Sequence, residues 1–288
     1  MSKPFKRDLA RGFFDQLREG SLRPLLDLAL ASDLDLQLRG TYINLYCDGQ
    51  AILKLTDVPT KREYKVEIDP EYLLGAELPC QAGPRECRLN ESTADRWVAQ
   101  YVRQIGVICA NARPTGPGET TAEQALIRTS LRPGSPLVLI DRQVAVPGPE
   151  RFEVDVVGLV RGDPSLFVLG EAKLGGNPQI RCLPCQLSDY YPMLVGSEGR
   201  LREDMFASYT QVVRQKRDLG LLPDSVPMPT ASPRVGCLII LCDLGGNEHL
   251  LDEARARASI CDFPVWIVRP CGPDYPIPPP TEWETLCP

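Results

Sequence analysis

Three strand-like segments follow one another between residues 137 and 174, and no other feature constrains the fold as strongly. Their sequences are LVLIDRQVAV, FEVDVVGLV and SLFVLGEAK, which are rich in β-branched and apolar residues. The connections PGPER and RGDP are short and consist of turn-forming residues. Because short turns join antiparallel neighbours, the sequence predicts an antiparallel meander here.

The segments around this meander indicate a mixed sheet with helices on both sides. A helix with a threonine cap at 120–121 precedes it, and helical segments fill residues 180–220, with interruptions at Pro184 and Pro192. The apolar run RVGCLIILCDL predicts a buried strand, which a helix near 247–258 and a last strand, FPVWIVR, follow. The predicted order is α-β-β-β-α-β-α-β, which is typical of a mixed α/β fold.

The N-terminal part predicts a smaller α+β module. Alternating apolar residues in LDLQLRG, TYINLYC, AILKLT and REYKVEI favour an antiparallel sheet. Residues 75–90 are rich in Gly, Pro and Cys and predict a loop, and a helix over about 92–110 follows. We therefore expect an N-terminal module at 1–90, a second domain at 91–270 and a proline-rich tail at 271–288 that is extended or loosely ordered.

Composition limits the chemistry that the chain can perform. The chain has one histidine, His249, and eleven cysteines, an odd number that suits a disulfide framework poorly. A single histidine argues against most zinc sites and against Ser-His or Cys-His nucleophiles. An iron–sulfur cluster needs four ligands, so the pair Cys182 and Cys185 is interpreted as two ordinary cysteines. Acid–base chemistry must therefore use carboxylates, lysine or water activated by a metal ion.

Charge and hydropathy restrict the partners. The net charge is -6, so contact with nucleic acid requires a local basic face or metal ions. No stretch approaches the roughly 20 apolar residues of a membrane helix, so no membrane partner is expected. The N-terminus is charged throughout and has no apolar segment of a signal peptide, which predicts a cytoplasmic protein.

One cluster of charged residues stands inside the predicted meander. Asp155 interrupts the apolar run of the second strand, and Glu171 and Lys173 interrupt that of the third. Glu171 and Lys173 share one face because side chains repeat every second residue along a strand. Pairing of the two strands brings Asp155 beside Glu171, and a divalent cation is the usual way to hold two such carboxylates together. Lys173 can then orient or help to deprotonate a water and offset charge in a phosphorane-like transition state.

This arrangement resembles the PD-(D/E)XK nuclease superfamily, whose motif is an Asp followed by Glu-x-Lys on adjacent strands. Gln186 and Tyr190 in QLSDYY match the Gln-x-x-x-Tyr element of the RecB and lambda-exonuclease branch. Glu123 lies on the helix where many members carry a further acidic residue. The resemblance covers about residues 110–270 and implies a restriction-endonuclease-like αβββαβ core.

The resemblance also implies a division of roles. Asp155, Glu171 and the Ala172 backbone carbonyl would bind Mg²⁺ or Mn²⁺, and Lys173 would assist the attacking water. Glu123 would reach the metal through water, and the Gln-x-x-x-Tyr pair would position the phosphate backbone.

Two neighbouring acidic residues compete for these positions. Glu153 lies on the same strand face as Asp155 but nearer the turn, where solvation is expected. Glu119 competes with Glu123, but it precedes the predicted helix cap.

A basic helix face is the candidate substrate surface. Arg214 and Arg217 lie three residues apart on a predicted helix and therefore share a face. They are predicted to contact phosphates, with a solvated helix face as the alternative.

The sequence therefore predicts a metal-dependent nuclease that hydrolyses phosphodiester bonds of nucleic acid, with DNA favoured over RNA. One alternative is a binding or assembly protein on the same fold that does not cleave. Another is a nuclease gated by a partner at the N-terminal module, which is also the expected surface for a homodimer.

Overall fold

The computed structural model describes residues 5–78, 86–114, 118–146, 152–195, 200–230, 233–272 and 274–287. Within these ranges, the side chains are described at all positions except 91, 146, 152, 190, 193–195 and 200. The chain forms two compact units, each built from segments that are discontinuous in sequence. The N-terminal unit comprises Lys6–Gln124 and Gln211–Leu222, and the C-terminal unit comprises Phe5, Ala125–Thr210 and Pro223–Pro288.

The N-terminal unit is a five-stranded antiparallel sheet with helices packed on it. The sheet order follows the chain order, from β1 to β5. Its elements are α1 (Arg11–Glu19), α2 (Arg23–Ala31), β1 (Asp35–Leu38), β2 (Tyr42–Cys47), β3 (Gln50–Val58), β4 (Glu63–Glu67), β5 (Glu86–Asn90) and α3 (Glu91–Ala112).

Helix α3 supplies much of the core of this unit, and its extent confirms the helix predicted over 92–110. The helix begins with a capping box, in which Asn90 accepts a hydrogen bond from the Thr93 N–H and the Thr93 hydroxyl accepts one from the Asn90 N–H. Trp97 and Tyr101 are buried and stacked, with ring centroids 5.2 Å apart. The Tyr101 hydroxyl donates to the carbonyl of Ile52 at 3.2 Å. The boundary expected at residue 90 therefore falls inside this unit, because α3 buries its apolar face on the sheet.

Two parts of this unit differ from the sequence-based expectation. Residues 86–90 form β5, where the pattern predicted a loop, and Cys87 in it is disulfide-bonded although the odd cysteine count did not indicate a bond. The segment Gln211–Leu222 also belongs here, although it was expected in the second domain. The Gln215 side chain hydrogen-bonds both the N–H and the carbonyl of Leu9, and both bonds are 2.8 Å long.

The C-terminal unit is a six-stranded mixed sheet with the order β11-β10-β9-β8-β7-β6. Strands β6 to β8 form the predicted antiparallel meander, and β8, β9 and β10 run parallel to one another. A mixed α/β fold is thus confirmed. The elements that contribute to the unit are α4 (Glu119–Ser130), β6 (Leu137–Val146), β7 (Phe152–Val160), β8 (Asp163–Leu174), α5 (Leu183–Val195), α6 (Arg200–Asp218), β9 (Arg234–Cys242), α7 (Glu248–Arg257), β10 (Val265–Val268) and β11 (Glu284–Cys287).

Several local predictions for this unit were wrong. Helix α4 begins at Glu119, so the predicted threonine cap lies within its first turn. Pro184 does not interrupt α5, because it lies in the first turn, where no backbone N–H is needed, and the helix also continues through Pro192.

Part of the proline-rich tail is an extended strand, which is one of the two predicted conformations. Its last residues form β11, which pairs antiparallel with β10. Glu284 in β11 is within 2.9 Å of both Arg255 and Arg269. The hydrogen bond from Arg255 is the main cause of the lowered pKa of the Glu284 carboxyl. These ion pairs and the strand pairing fix this segment, whose prolines alone were compatible with either an extended or a loosely ordered chain.

The end of β8 gives a direct test of packing. A Cβ at Gly175 would clash with the backbone of Asp243 and Leu244, which cannot move aside as a flexible side chain can. We expect Gly175→Ala to lower the free energy of unfolding by about 2 kcal/mol. Denaturant unfolding measures this change. The neighbouring substitution Gly176→Ala is the matched control, since no atom lies within 4 Å of a Cβ there; equal stability of the two variants would contradict this account.

Candidate functional site

Asp155 lies where the pairing between β7 and β8 ends. The last pair of the ladder in this direction is Val156 with Gly170. Beyond it, the Asp155 carboxylate oxygen Oδ2 accepts a hydrogen bond from the N–H of Ala172 at 2.9 Å. The Asp155 side chain thus accepts a hydrogen bond from a backbone N–H of the neighbouring strand, and this bond fixes the carboxylate against β8.

Glu171 and Lys173 lie on β8, the strand between β7 and β9. Both are buried, with 3% and 7% of their surface exposed. The parallel neighbour β9 pairs Ile239 with Glu171 and is apolar along most of its length. Two charged side chains in such surroundings require compensating partners, because an isolated charge in an apolar core is very unfavourable.

The Lys173 ammonium supplies this compensation. Its Nζ lies 3.0 Å from Oδ2 of Asp155 and 3.6 Å from Oε2 of Glu171. It also donates to the carbonyl of Ala172 at 3.2 Å. The structure therefore brings together all four residues that the sequence placed at the centre of the site, with three oxygen atoms around one cationic group.

The donor set fits a divalent cation. Carboxylate and carbonyl oxygens are the ligands that Mg²⁺ and Mn²⁺ prefer, and these three already converge on a positive charge. Across the residues that the structure describes, no group of three or more His, Cys, Asp or Glu side chains is arranged to hold a metal ion. A cation at this position would therefore be held by two carboxylates, one carbonyl and water, a combination that suits Mg²⁺.

A glycine permits the strands to approach one another beside the site. A Cβ at Gly170 would lie 2.7 Å from Cγ2 of Val156 on the facing strand.

Cys237 lies in β9, on the other side of β8. Burial is the main cause of the raised pKa of its thiol, and electrostatic interactions with Cys261 and Glu171 add to it. Cys237 is therefore a neutral apolar neighbour of the site.

Gln186 lies in α5 and is half-buried. Its Oε1 is buried and has no hydrogen-bond partner among the described residues. A buried acceptor without a donor is unfavourable, so this amide requires a donor from outside the described residues. The side chain of Tyr190, the other predicted phosphate contact, lies outside the described residues.

The remaining predicted site residues belong to the N-terminal unit. Glu123 is 4% exposed and lies in the part of α4 that this unit contains. Arg214 and Arg217 lie in the C-terminal half of α6, where Arg214 is exposed and Arg217 is half-buried. The Nε of Arg217 is buried without a hydrogen-bond partner in the described part of the chain. Of the two, Arg214 alone thus presents its side chain mainly to solvent.

Sequence reasoning missed one buried carboxylate of the C-terminal unit. Asp141 is 1% exposed and lies on β6, opposite Val157 of β7. It accepts hydrogen bonds from the hydroxyl of Tyr209 at 3.0 Å and from the N–H of Arg142 at 2.8 Å. The sequence contains a signal for this carboxylate, because Asp141 and Arg142 interrupt the otherwise apolar run LVLIDRQVAV. That run was used only to predict a strand.

Comparison of the chain with known protein families, curated proteins and solved structures gave no match. Among the described residues, none of the helices combines the length and the apolar character that a membrane crossing requires.

Proposed function

We propose that the chain is a metal-dependent nuclease whose site is formed by Asp155, Glu171, Lys173 and the Ala172 carbonyl. The observation that carries the proposal is the convergence of three oxygen ligands on one cationic centre, 3.0 to 3.6 Å away. These residues lie on two adjacent strands of a mixed sheet, with a helix before the meander and another after it. This order supports the finer proposal of a restriction-endonuclease-like αβββαβ core.

In the proposed reaction, Asp155 and Glu171 hold the cation with the Ala172 carbonyl. The bond from the Ala172 N–H fixes one oxygen of Asp155, so that carboxylate is oriented before any ligand arrives. Bound Mg²⁺ or Mn²⁺ would polarise the scissile phosphate and favour ionisation of the attacking water. Both carboxylates are held by strands rather than by loops, which suits a site that depends on geometry.

Lys173 is proposed to have two positions. An ammonium and a divalent cation favour the same place between the carboxylates, so cation binding requires the Lys173 ammonium to move away from them. From an adjacent position it would orient the water and offset the charge that develops on the phosphate. In the absence of a cation, the same ammonium offsets one of the two negative charges of the carboxylate pair.

The alternative is a protein of the same fold that binds or assembles without cleavage. The observation in its favour is that Lys173 already contacts all three oxygens, as expected of a purely structural ion-pair cluster. A net charge of -6 is also unusual for a protein that must collect a polyanion.

A cleavage assay distinguishes the two functions. The purified chain is incubated with single- and double-stranded DNA and RNA in Mg²⁺, Mn²⁺ or EDTA. We expect cleavage, with DNA the better substrate, that requires the metal and is absent in EDTA. A Glu171→Gln protein purified in parallel excludes a contaminating nuclease. Equal activity of the two preparations, or none in either, would refute the proposal.

The exposed basic residue of α6 gives a prediction about binding. We expect Arg214→Ala to weaken nucleic-acid binding equally for different sequences, because phosphate contacts carry no base information. The slope of log affinity against log salt should fall by about one, since one fewer counterion is released. Affinity measured at several salt concentrations gives both values, with exposed Arg103 of α3 as a control substitution. An unchanged slope would mean that the Arg214 face is merely solvated.

A further inference from the structure

Two cysteines of the N-terminal unit line one cavity of about 240 Å³. Cys47 is the last residue of β2, and Cys109 lies in the last turn of α3. Both are free thiols. The cavity is otherwise lined in part by Leu28, Leu34, Asp48, Ile105, Gly106 and Arg113.

The two thiols differ in access while lying in direct contact. They share a side-chain hydrogen bond. Cys47 is buried at 8% exposure, whereas Cys109 is partly exposed. Cys109 is therefore the more accessible of the two thiols that line the cavity.

The neighbouring thiol of Cys47 favours ionisation of the accessible thiol of Cys109. The hydrogen bond from Cys47 lowers the pKa of Cys109, and the charge of Arg113 acts in the same direction. Burial and the charge of Asp48 oppose this effect, but Arg113 also pairs with Asp48 at 3.0 Å. The bond to Cys109 and burial raise the pKa of Cys47. The thiolate is thus favoured at Cys109 and the thiol at Cys47, a division found in reactive cysteine pairs.

We propose that Cys47 and Cys109 are a dithiol site that hydroperoxides oxidise to a disulfide. The Cys109 thiolate attacks one peroxide oxygen and the O–O bond breaks, which gives a sulfenic acid and an alkoxide, or hydroxide from hydrogen peroxide; this takes a proton from solvent and leaves as an alcohol or water. The Cys47 sulfur then attacks the Cys109 sulfur and displaces hydroxide, which leaves as water with the Cys47 proton. The two thiols lose two electrons and the peroxide gains them.

The composition of the cavity favours this chemistry over a metal site. Thiolate sites for zinc generally need four ligands. Within the described ranges, no group of three or more Cys, His, Asp or Glu side chains is arranged to hold a metal ion, so this pair and the neighbouring Asp48 do not form such a site. The product would link the end of β2 to α3 across the core of the unit, and a cross-link that closes a long loop stabilises the folded chain.

The experiment uses the full reduced chain. The protein is treated with hydrogen peroxide or tert-butyl hydroperoxide, remaining thiols are alkylated, and peptides are mapped by mass spectrometry without reduction. We expect a Cys47–Cys109 cross-link as the main product, a melting temperature higher by about 5–10 °C, and reversal of both by dithiothreitol. Stable sulfinic acid at Cys109 with Cys47 still alkylated, or no reaction at either cysteine, would overturn the proposal.

Three variants test the assignment to this cavity. Cys47→Ser and Cys109→Ser should each lose the cross-link and the rise in melting temperature, whereas Cys271→Ser, which removes an exposed cysteine, should keep both. Gly106→Leu leaves both thiols in place, and a side chain there meets no atom within 4 Å of its Cβ. Because position 106 lines the cavity, we expect this variant to slow oxidation by the bulkier peroxide at least several-fold. An unchanged rate would show that peroxide does not reach the thiols through the cavity.

Discussion

Replacement of Glu171 by glutamine is expected to lower phosphodiester cleavage by about 10³-fold or more, with little change in fold. The substitution keeps the size of a buried side chain but removes the charge that would hold the cation. Asp155→Asn should have an effect of the same order. Initial rates in Mg²⁺ and Mn²⁺, with circular dichroism to verify folding, measure the loss.

The double variant gives a sharper test than either single one. Groups that act as a unit are strongly non-additive, so Asp155→Asn with Glu171→Gln should be little worse than Glu171→Gln alone. Glu153→Gln is the matched control, because Glu153 lies two positions from Asp155 on the same strand but is exposed. If Glu153→Gln lost as much activity as Asp155→Asn, the assignment of the metal ligand on β7 would be wrong.

Lys173→Met is expected to destabilise the protein in EDTA by about 3 kcal/mol. The reason is that the variant leaves the buried Glu171 carboxylate beside Asp155 without the ammonium that now lies between them. A loss of this size lowers the melting temperature by about 10 °C for a domain of this length. Addition of Mn²⁺ should restore much of it, since the cation then occupies the vacated position.

A further substitution separates this electrostatic effect from simple loss of packing. Lys173→Met combined with Glu171→Gln removes one of the two neighbouring carboxylates, and we expect it to be more stable in EDTA than Lys173→Met alone. Thermal melts of the unsubstituted protein, Lys173→Met, Glu171→Gln and the double variant, with and without Mn²⁺, complete a double-mutant cycle. If the double variant were no more stable than Lys173→Met, or Mn²⁺ raised no melting temperature, the three oxygens would not form the proposed cation site.

The sequence was most informative where the structure depends on neighbouring residues in the chain. The meander and α3 follow from periodicity and from turn residues, and so does the shared face of Glu171 and Lys173. By contrast, β5 and β11 have weak sequence patterns, and they form strands because they pair with β4 and β10. The position of Gln211–Leu222 depends on distant contacts such as those of Gln215, which no local pattern reveals.

The same limit applies to the site. The spacing of Asp155 and Glu171 predicted that they would lie on adjacent strands, because one short turn separates those strands. The bond between Asp155 and the Ala172 N–H could not be predicted, since it depends on where the strand ladder ends. The role of Glu123 came from the family resemblance and those of Arg214 and Arg217 from helix position, whereas the place of all three in the N-terminal unit depends on tertiary packing.

The discontinuous N-terminal unit has a consequence for synthesis on the ribosome. Residues of Lys6–Gln124 emerge first, but their unit also requires Gln211–Leu222, in which Leu219 joins the core and Lys216 donates to Gln37 at 2.7 Å. The N-terminal unit of the nascent chain is therefore incomplete while Ala125–Thr210 is translated. During that interval the apolar surface that Leu219 later covers is open to chaperones and to aggregation.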